Sequence, residues 1–206
     1  MLSLILDTSC SRGVIAIVQN NLILWKQDLL IGLQQSPEVI AILEHALQEN
    51  NLSVNQLEQV VIGTGPGSFT GMRMGAIIGK TLAWAKKIPL IGLSTLHGFT
   101  PPVDGPFALL LDAKSEGIYI QIGEKENEKV RYPQKERLLS SPKQIEELLE
   151  GIPTLISPHK GPILKKLSSS LEILEVFPDP LHMSKLANNT SLGDKEGLTL
   201  QYFKNV

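Results

Sequence analysis

Residues 63–75 read Gly-Thr-Gly-Pro-Gly-Ser-Phe-Thr-Gly-Met-Arg-Met-Gly, and this segment organises the rest of the prediction. Its first half, rich in glycine and proline, is typical of a loop. Residues 69–87 have the composition of a helix. The apolar run Val60–Ile62 before the segment predicts a short buried strand, and Leu90–Gly92 after it predicts a return to strand. The segment therefore predicts a strand, a glycine loop, a helix and a second strand.

Three known motifs are similar to this segment, but none of them matches it. A dinucleotide-binding fingerprint requires a glycine three residues after Gly65, where Ser68 stands. A P-loop would need a glycine at the position of Met74, and the stretch that follows is predicted to be helical, without free amides for a phosphate. A nucleophile elbow needs a glycine in place of Pro66. The glycines therefore need another explanation.

Four small residues, Gly71, Gly75, Gly79 and Ala83, are spaced four apart, so they form one flat ridge along the predicted helix. Glycine inside a helix costs about 0.5–1 kcal/mol relative to alanine. Close packing against a neighbour is expected to offset that cost. The neighbour is either this chain's own predicted helix at Pro37–Asn50 or a second polypeptide, and the spacing leaves both open. If it is a second polypeptide, replacing Gly75 with leucine abolishes binding and leaves the chain folded.

Periodicity outside this segment predicts strands and helices of an α/β protein. Strands at about 2–6, 13–18 and 22–28 open the chain, with a tight turn at Gln19–Asn21. Ser36 is predicted to cap the helix that follows, whose apolar face comprises Val39, Ile40, Ile42, Leu43, Ala46 and Leu47. The later elements are strands at 107–111, 117–122, 153–156 and 172–176, and helices at 142–150, capped by Ser141, and at 161–169. Residues 178–199 show no clear pattern.

Charge is distributed unevenly along the chain. Residues 1–100 carry six basic and six acidic side chains, and residues 101–206 carry thirteen and fifteen. Part of the first half's surface is therefore expected to be covered by the second half or by another chain; the alternative is that the first half is simply more apolar. The proline-rich stretch 100–106 lies at the change in composition. We predict an amino-terminal subdomain over 1–100, which includes the glycine-rich helix, and a carboxyl-terminal α/β subdomain over 101–206.

The overall composition argues against several functional classes. The formal net charge of −2 gives no general attraction to phosphate backbones. No apolar run approaches the roughly 18 residues that span a bilayer. The only cysteine is Cys10, and the first residues do not have the pattern of a signal peptide, so we expect a cytoplasmic protein. The four histidines, at 45, 97, 159 and 182, form no helical pair, and no metal site is predicted.

Gly65-Pro66-Gly67-Ser68-Phe69-Thr70-Gly71-Met72-Arg73-Met74-Gly75 resembles the hallmark of the TsaB (YeaZ) family, which acts in tRNA threonylcarbamoyladenosine biosynthesis. The resemblance extends to residues 4–9, 89–96 and 111–114 and so covers most of residues 1–120. Beyond them only Leu200–Lys204 is similar. The sequence departs from the family pattern at Lys114, where an arginine is usual, and at Gln35, where many relatives carry a histidine.

The resemblance implies the actin-like ATPase fold, built from two related α/β subdomains. It also implies a noncatalytic scaffold that binds and stabilises a catalytic TsaD-like paralogue and works with a TsaE-like ATPase. Together they install threonylcarbamoyl on the adenosine next to the tRNA anticodon. The chain would meet tRNA only through the complex, would form a homodimer when alone and would need no cofactor of its own, with ATP or ADP in or near the complex interface. A stand-alone enzyme of the same fold, metallopeptidase-like or an ATP-dependent kinase, is the alternative.

The predicted sites follow from the ridge and from the resemblance. No catalytic residue is predicted. The superfamily places a carboxylate near nucleotide phosphates, which gives Asp7, Thr8 and Asp112 a weak nucleotide-binding role. The alternative is that Asp7 turns onto local backbone amides. The predicted partner interface uses the helices at 36–50 and 69–87 and comprises Val39, Leu43, Phe69, Gly71, Met72, Arg73, Gly75, Gly79 and Ala83.

Overall fold

A computed structural model describes residues 1–30, 36–167 and 171–189, which form two compact units. The first unit comprises the described part of residues 1–98 together with residues 178–189, and the second comprises the described part of residues 99–177. The elements are β1 (Leu2–Asp7), β2 (Arg12–Gln19), β3 (Leu22–Leu30), α1 (Ser36–Glu49), β4 (Gln59–Gly63), α2 (Phe69–Lys86), β5 (Leu90–Leu93), β6 (Gly105–Asp112), β7 (Ile118–Glu126), β8 (Lys129–Arg131), β9 (Arg137–Leu139), α3 (Pro142–Leu149), β10 (Thr154–Ser157), α4 (Lys160–Lys166), β11 (Ile173–Glu175) and α5 (Pro180–Asn189).

In its described residues, the first unit contains a mixed five-stranded sheet in the order β3-β2-β1-β4-β5. β1, β2 and β3 form an antiparallel meander, and β4 and β5 continue the sheet in parallel with β1. Asn20 and Asn21 connect β2 to β3 with φ angles of 50° and 63°, as the tight turn between right-twisted strands requires. The three predicted strands and their turn are confirmed.

Both faces of this sheet are covered by helices. Alternate side chains of β1 point to opposite faces. Leu4 and Leu6 lie in a core cluster with the apolar faces of α1 and α2. Ile5 lies in a second cluster with Met183 and Ala187 of α5. The carboxyl end of β1 is therefore enclosed between helices.

The second unit contains a sheet in the order β11-β10-β6-β7-β8, with β9 also paired to β7. β6 and β7 are antiparallel, and β10 runs parallel to both β6 and β11. Ile145 and Leu149 of α3 and Ile163 of α4 pack against one face. The predicted pairing of residues 107–111 with 117–122 is confirmed.

Several predictions differ from the structure. Helix α5 falls where the sequence showed no pattern, and it packs on the first sheet, so the predicted second subdomain is too long at its carboxyl end. The short strands β8 and β9 were not predicted. Ile40 was placed on the apolar face of α1 but is exposed, and Ser141 precedes α3 without a side-chain capping bond. The end of the predicted helix at 161–169, Gln35 and Leu200–Lys204 lie outside the described residues.

Candidate functional site

The glycine loop joins β4 to α2 and is fixed by hydrogen bonds to the end of β5 and to the segment after it. The hydroxyl of Thr64 donates to the carbonyl of Leu93 at 2.9 Å, and the amide of Gly65 donates to Oγ1 of Thr95 at 3.1 Å. Ser68 then caps α2, since its hydroxyl accepts from the amide of Gly71 at 3.3 Å. The loop therefore sets both the position and the direction of α2.

The glycine ridge of α2 faces this chain's own sheet. A Cβ built on Gly71 would lie 2.0 Å from the carbonyl oxygen of Thr8, and one on Gly79 would lie 2.7 Å from Cγ2 of Ile62. A Cβ on Gly75 would lie 2.8 Å from Oγ1 of Thr8. Atoms in real structures do not approach this closely, so only glycine lets α2 lie so near β1 and β4. The three glycines of the ridge therefore pack against this chain's own sheet, and not against α1 or a second polypeptide, the two neighbours that the sequence left open.

The internal ridge changes the predicted partner interface. A Cβ at Gly75 already lies 2.8 Å from Oγ1 of Thr8, so leucine there would crowd the Thr8 side chain, and we expect this substitution to destabilise the chain as well as to test binding. Most of the predicted interface belongs to the core, because the chain's own strands need these small and apolar side chains to pack. The predicted residues that are buried within the first unit are Val39, Leu43, Gly71, Met72, Gly75, Gly79 and Ala83.

The opposite face of α2 carries large apolar side chains into solvent. Phe69, Ile77 and Trp84 are 52%, 66% and 84% exposed. Arg73 lies between the first two, with its guanidinium carbon 3.6 Å from the centre of the Phe69 ring. The spacing of four, four and seven residues keeps these side chains on one helical face. We call Phe69, Arg73, Ile77 and Trp84 the α2 stripe; two of them, Phe69 and Arg73, belong to the predicted interface.

The turn after β1 holds the predicted nucleotide residues Asp7 and Thr8, and both are buried. Oδ1 of Asp7 accepts from the amide of Ser9 at 2.8 Å, and the hydroxyl of Thr8 donates to the carbonyl of Gly71 at 2.6 Å. The amide of Ser68 donates to the carbonyl of Ser9 at 2.5 Å. The chain's own groups therefore occupy hydrogen-bonding atoms of Asp7, Thr8 and Ser9.

Burial also governs the protonation of this turn. Removal from water raises the pKa of the Asp7 carboxyl, and its hydrogen bonds with Ser9 and Thr95 offset only part of that effect. The thiol of Cys10 is buried as well, and burial together with the nearby Asp7 raises its pKa. The region around Asp7 therefore favours neutral side chains.

Asp112 lies in the second unit, at the end of β6, and its side chain is almost fully buried. Nζ of Lys166 is 2.5 Å from its Oδ1 and also donates to the carbonyl of Gly117 at 2.9 Å. Nζ of Lys114 is 3.6 Å from Oδ2. Burial alone would raise the pKa of Asp112, but the hydrogen bond and charge of Lys166, with the charge of Lys114, bring it below its usual value. A cleft of about 210 Å³ beside this cluster is lined in part by Lys114, Ser115 and Lys166.

Among the residues that the structure describes, no group of three His, Cys, Asp or Glu side chains lies close enough together to hold a metal ion. No helix among residues 1–30, 36–167 and 171–189 is long and apolar enough to cross a membrane.

Comparison with known proteins places the chain in a family. The family model described as TsaD, tRNA N6-adenosine threonylcarbamoyltransferase, matches residues 34–173, which is more than half of the chain. The chain belongs to the TsaD family. Within it, the chain groups with TsaB (YeaZ), as its glycine segment predicts. The TsaB proteins of Bacillus subtilis and Haemophilus influenzae are 27% identical over 122 residues and 38% identical over 58 residues.

These matches cover only part of each chain. They span 58% and 28% of this chain, and 53% and 25% of the two curated relatives. YeaZ from Pseudomonas aeruginosa has the same fold, with a TM-score of 0.74, 18% identity and 92% of both chains covered. This is the actin-like ATPase fold that the resemblance implied.

Proposed function

We propose that this chain is a noncatalytic scaffold subunit of the machinery that installs threonylcarbamoyl on the adenosine next to the tRNA anticodon. In this role it binds and stabilises a catalytic TsaD-like paralogue. The observation that carries the proposal is the α2 stripe, with Phe69, Ile77 and Trp84 on one exposed helical face. Large apolar side chains grouped on an otherwise packed helix are typical of a protein–protein interface.

The geometry of the stripe suits a helical partner. Its members lie along almost the full length of α2, which has eighteen residues and is held rigidly on the sheet by the glycine ridge. A rigid face loses little conformational entropy when a partner binds. Tryptophan and arginine, both present here, are enriched among the residues that dominate binding energies. A TsaD-like paralogue would present a corresponding apolar helix.

The scaffold role is also supported by the turn after β1. Asp7 and Thr8 are engaged by the chain's own groups, so no role in catalysis or nucleotide binding is proposed for them. A TsaE-like ATPase would join the same complex and bring ATP or ADP to or near the interface. The chain would meet tRNA only through its partners, in the cytoplasm. Without a partner, two copies would associate through their α2 stripes.

The proposal can be tested by affinity purification from the native cell. Ile77→Asp places a charge at the centre of the stripe, at a side chain that is 66% exposed, so the fold should tolerate it. Val103→Asp changes an exposed apolar residue of the second unit and serves as the control. We expect the wild type and Val103→Asp to recover the TsaD-like partner and Ile77→Asp to lose it. Recovery by all three chains would remove the support for the stripe.

Reconstitution from purified proteins distinguishes the scaffold role from the alternative, a stand-alone peptidase or kinase. The purified chain alone should neither cleave peptides nor turn over ATP, whereas its addition should raise tRNA modification by the TsaD-like and TsaE-like proteins. A turnover by the isolated chain that disappears in Asp7→Asn would favour the enzyme.

A further inference from the structure

β3 lies at the edge of the first unit's sheet and is nine residues long. Among the described residues, only β2 pairs with it. An edge strand presents backbone amides and carbonyls to any strand that can lie alongside. This edge also carries apolar side chains in solvent, with Leu22 and Leu30 67% and 54% exposed. It therefore has the two properties that support addition of another strand.

The charges on β3 have a self-complementary arrangement. Lys26 and Asp28 lie opposite Ala16 and Val14 of β2, which places both side chains on the face covered by α5. Their charged groups are 3.1 Å apart. Gln27 lies between them. If two copies of β3 pair antiparallel about an axis at Gln27, Lys26 of each copy lies opposite Asp28 of the other.

These charges favour one register. Two edge strands related by a two-fold axis can shift only in steps that keep opposite residues on the same face. An axis at residue 26 would place Lys26 opposite Lys26 of the second copy, and an axis at residue 28 would do the same for Asp28. Like charges directly opposite each other are destabilising, and opposite charges are stabilising. Only the axis at Gln27 joins each lysine to an aspartate.

The residues around this centre fit the same register. Trp25 would lie opposite Leu29 of the second copy on the face that carries α1 and α2. The exposed Leu30 would lie beside Leu24, which bulges from the ladder where the β2–β3 register shifts. Bulges and charged side chains usually protect an edge from pairing. Here, however, the facing charges in this register have opposite signs, so they attract the second copy.

We infer that β3 is a homodimerisation edge, at which a second copy of this chain adds its own β3 to form a continuous ten-stranded sheet. This surface is separate from the α2 stripe, because α2 packs over β1, β4 and β5, whereas β3 lies beyond β2. The first unit can therefore bind a second copy at its edge while a paralogue occupies α2. The resulting assembly would contain two scaffold chains and two partners.

The test measures the molecular mass in solution of the parent chain and of variants with altered charges on β3. Because the α2 stripe is proposed to self-associate as well, every chain also carries Ile77→Asp. Sedimentation equilibrium across about 1–100 µM should give the parent chain a dimer mass, twice the monomer's 22.6 kDa. Lys26→Asp or Asp28→Lys places like charges opposite each other at two points in each dimer. Each single variant should raise the dimer Kd at least about tenfold.

The double variant Lys26→Asp/Asp28→Lys exchanges the two charges and should restore the parent Kd. Circular dichroism checks that each chain is folded. A parent chain that stays monomeric, single variants that dimerise as well as the parent, or a double variant that does not recover would overturn the inference. None of these results depends on whether the paralogue binds α2, which co-purification decides separately.

Discussion

The sharpest structural prediction concerns Gly71→Ala, the smallest change that can be made to the glycine ridge. The added methyl group would lie 2.0 Å from the carbonyl oxygen of Thr8 and 3.0 Å from its carbonyl carbon. Both atoms belong to the backbone, and the Thr8 hydroxyl also holds the carbonyl of Gly71 at 2.6 Å. Because no flexible side chain can move aside, α2 must shift away from the end of β1.

The magnitude follows from two opposing effects. Overpacking a close contact costs about 1–3 kcal/mol, and a backbone contact this short belongs at the upper end. Alanine is favoured over glycine inside a helix by about 1 kcal/mol. We therefore expect a net loss of about 2 kcal/mol in the free energy of unfolding, or about 4–8 °C in Tm for a chain of this size.

Urea unfolding followed by tryptophan fluorescence measures this loss, because both tryptophans, Trp25 and Trp84, lie in the first unit. Gly161→Ala is the matched control. Gly161 also lies in a helix, α4, but a Cβ there meets nothing within 4 Å, so this variant should be as stable as the wild type or up to about 1 kcal/mol more stable by circular dichroism. A Gly71→Ala chain at least as stable as the wild type would refute the packing of the ridge against β1.

Two further predictions follow from the buried carboxyl groups. Burial raises the pKa of Asp7, so the stability it contributes is present below its unfolded pKa, near 4, and is lost as pH rises through its folded value. Asp7→Asn should therefore lose less stability than the wild type between pH 4 and pH 8, as measured by tryptophan fluorescence. For Asp112 the sign is reversed, because Lys166 lowers its pKa: the stability is present above about pH 4 and is lost as pH falls. Lys166→Met should remove most of this acid dependence, measured by circular dichroism, and an unchanged pH profile would contradict the Asp112–Lys166 pair.

The glycine segment illustrates how far the sequence could predict this molecule. The strand, loop and helix around it follow from turn chemistry and apolar periodicity, and the family follows from the motif itself. The spacing of Gly71, Gly75 and Gly79 correctly predicted a close approach. It could not identify the neighbour, because a flat helical face suits a sheet of the same chain as well as a second protein.

The α2 stripe was only partly predictable, because the sequence does not show which face of α2 packs on the sheet. The predicted interface includes Phe69 and Arg73 but not Ile77 and Trp84. Their exposure depends on which side of α2 meets the sheet, and the periodicity of an apolar helix does not show that. Helix α5 was not predicted, because its side chains show no simple pattern and its packing on the first sheet joins residues distant in sequence.

The central claim is that the α2 stripe binds a TsaD-like paralogue, and titration calorimetry of the two purified proteins tests it directly. Trp84 is the most exposed member of the stripe and should become buried on binding. A dominant interface tryptophan contributes about 2 kcal/mol or more, so Trp84→Ala should raise the Kd about 30-fold or more, whereas Val103→Ala should leave it unchanged. Equal affinity of the wild type and Trp84→Ala for the paralogue would contradict the account.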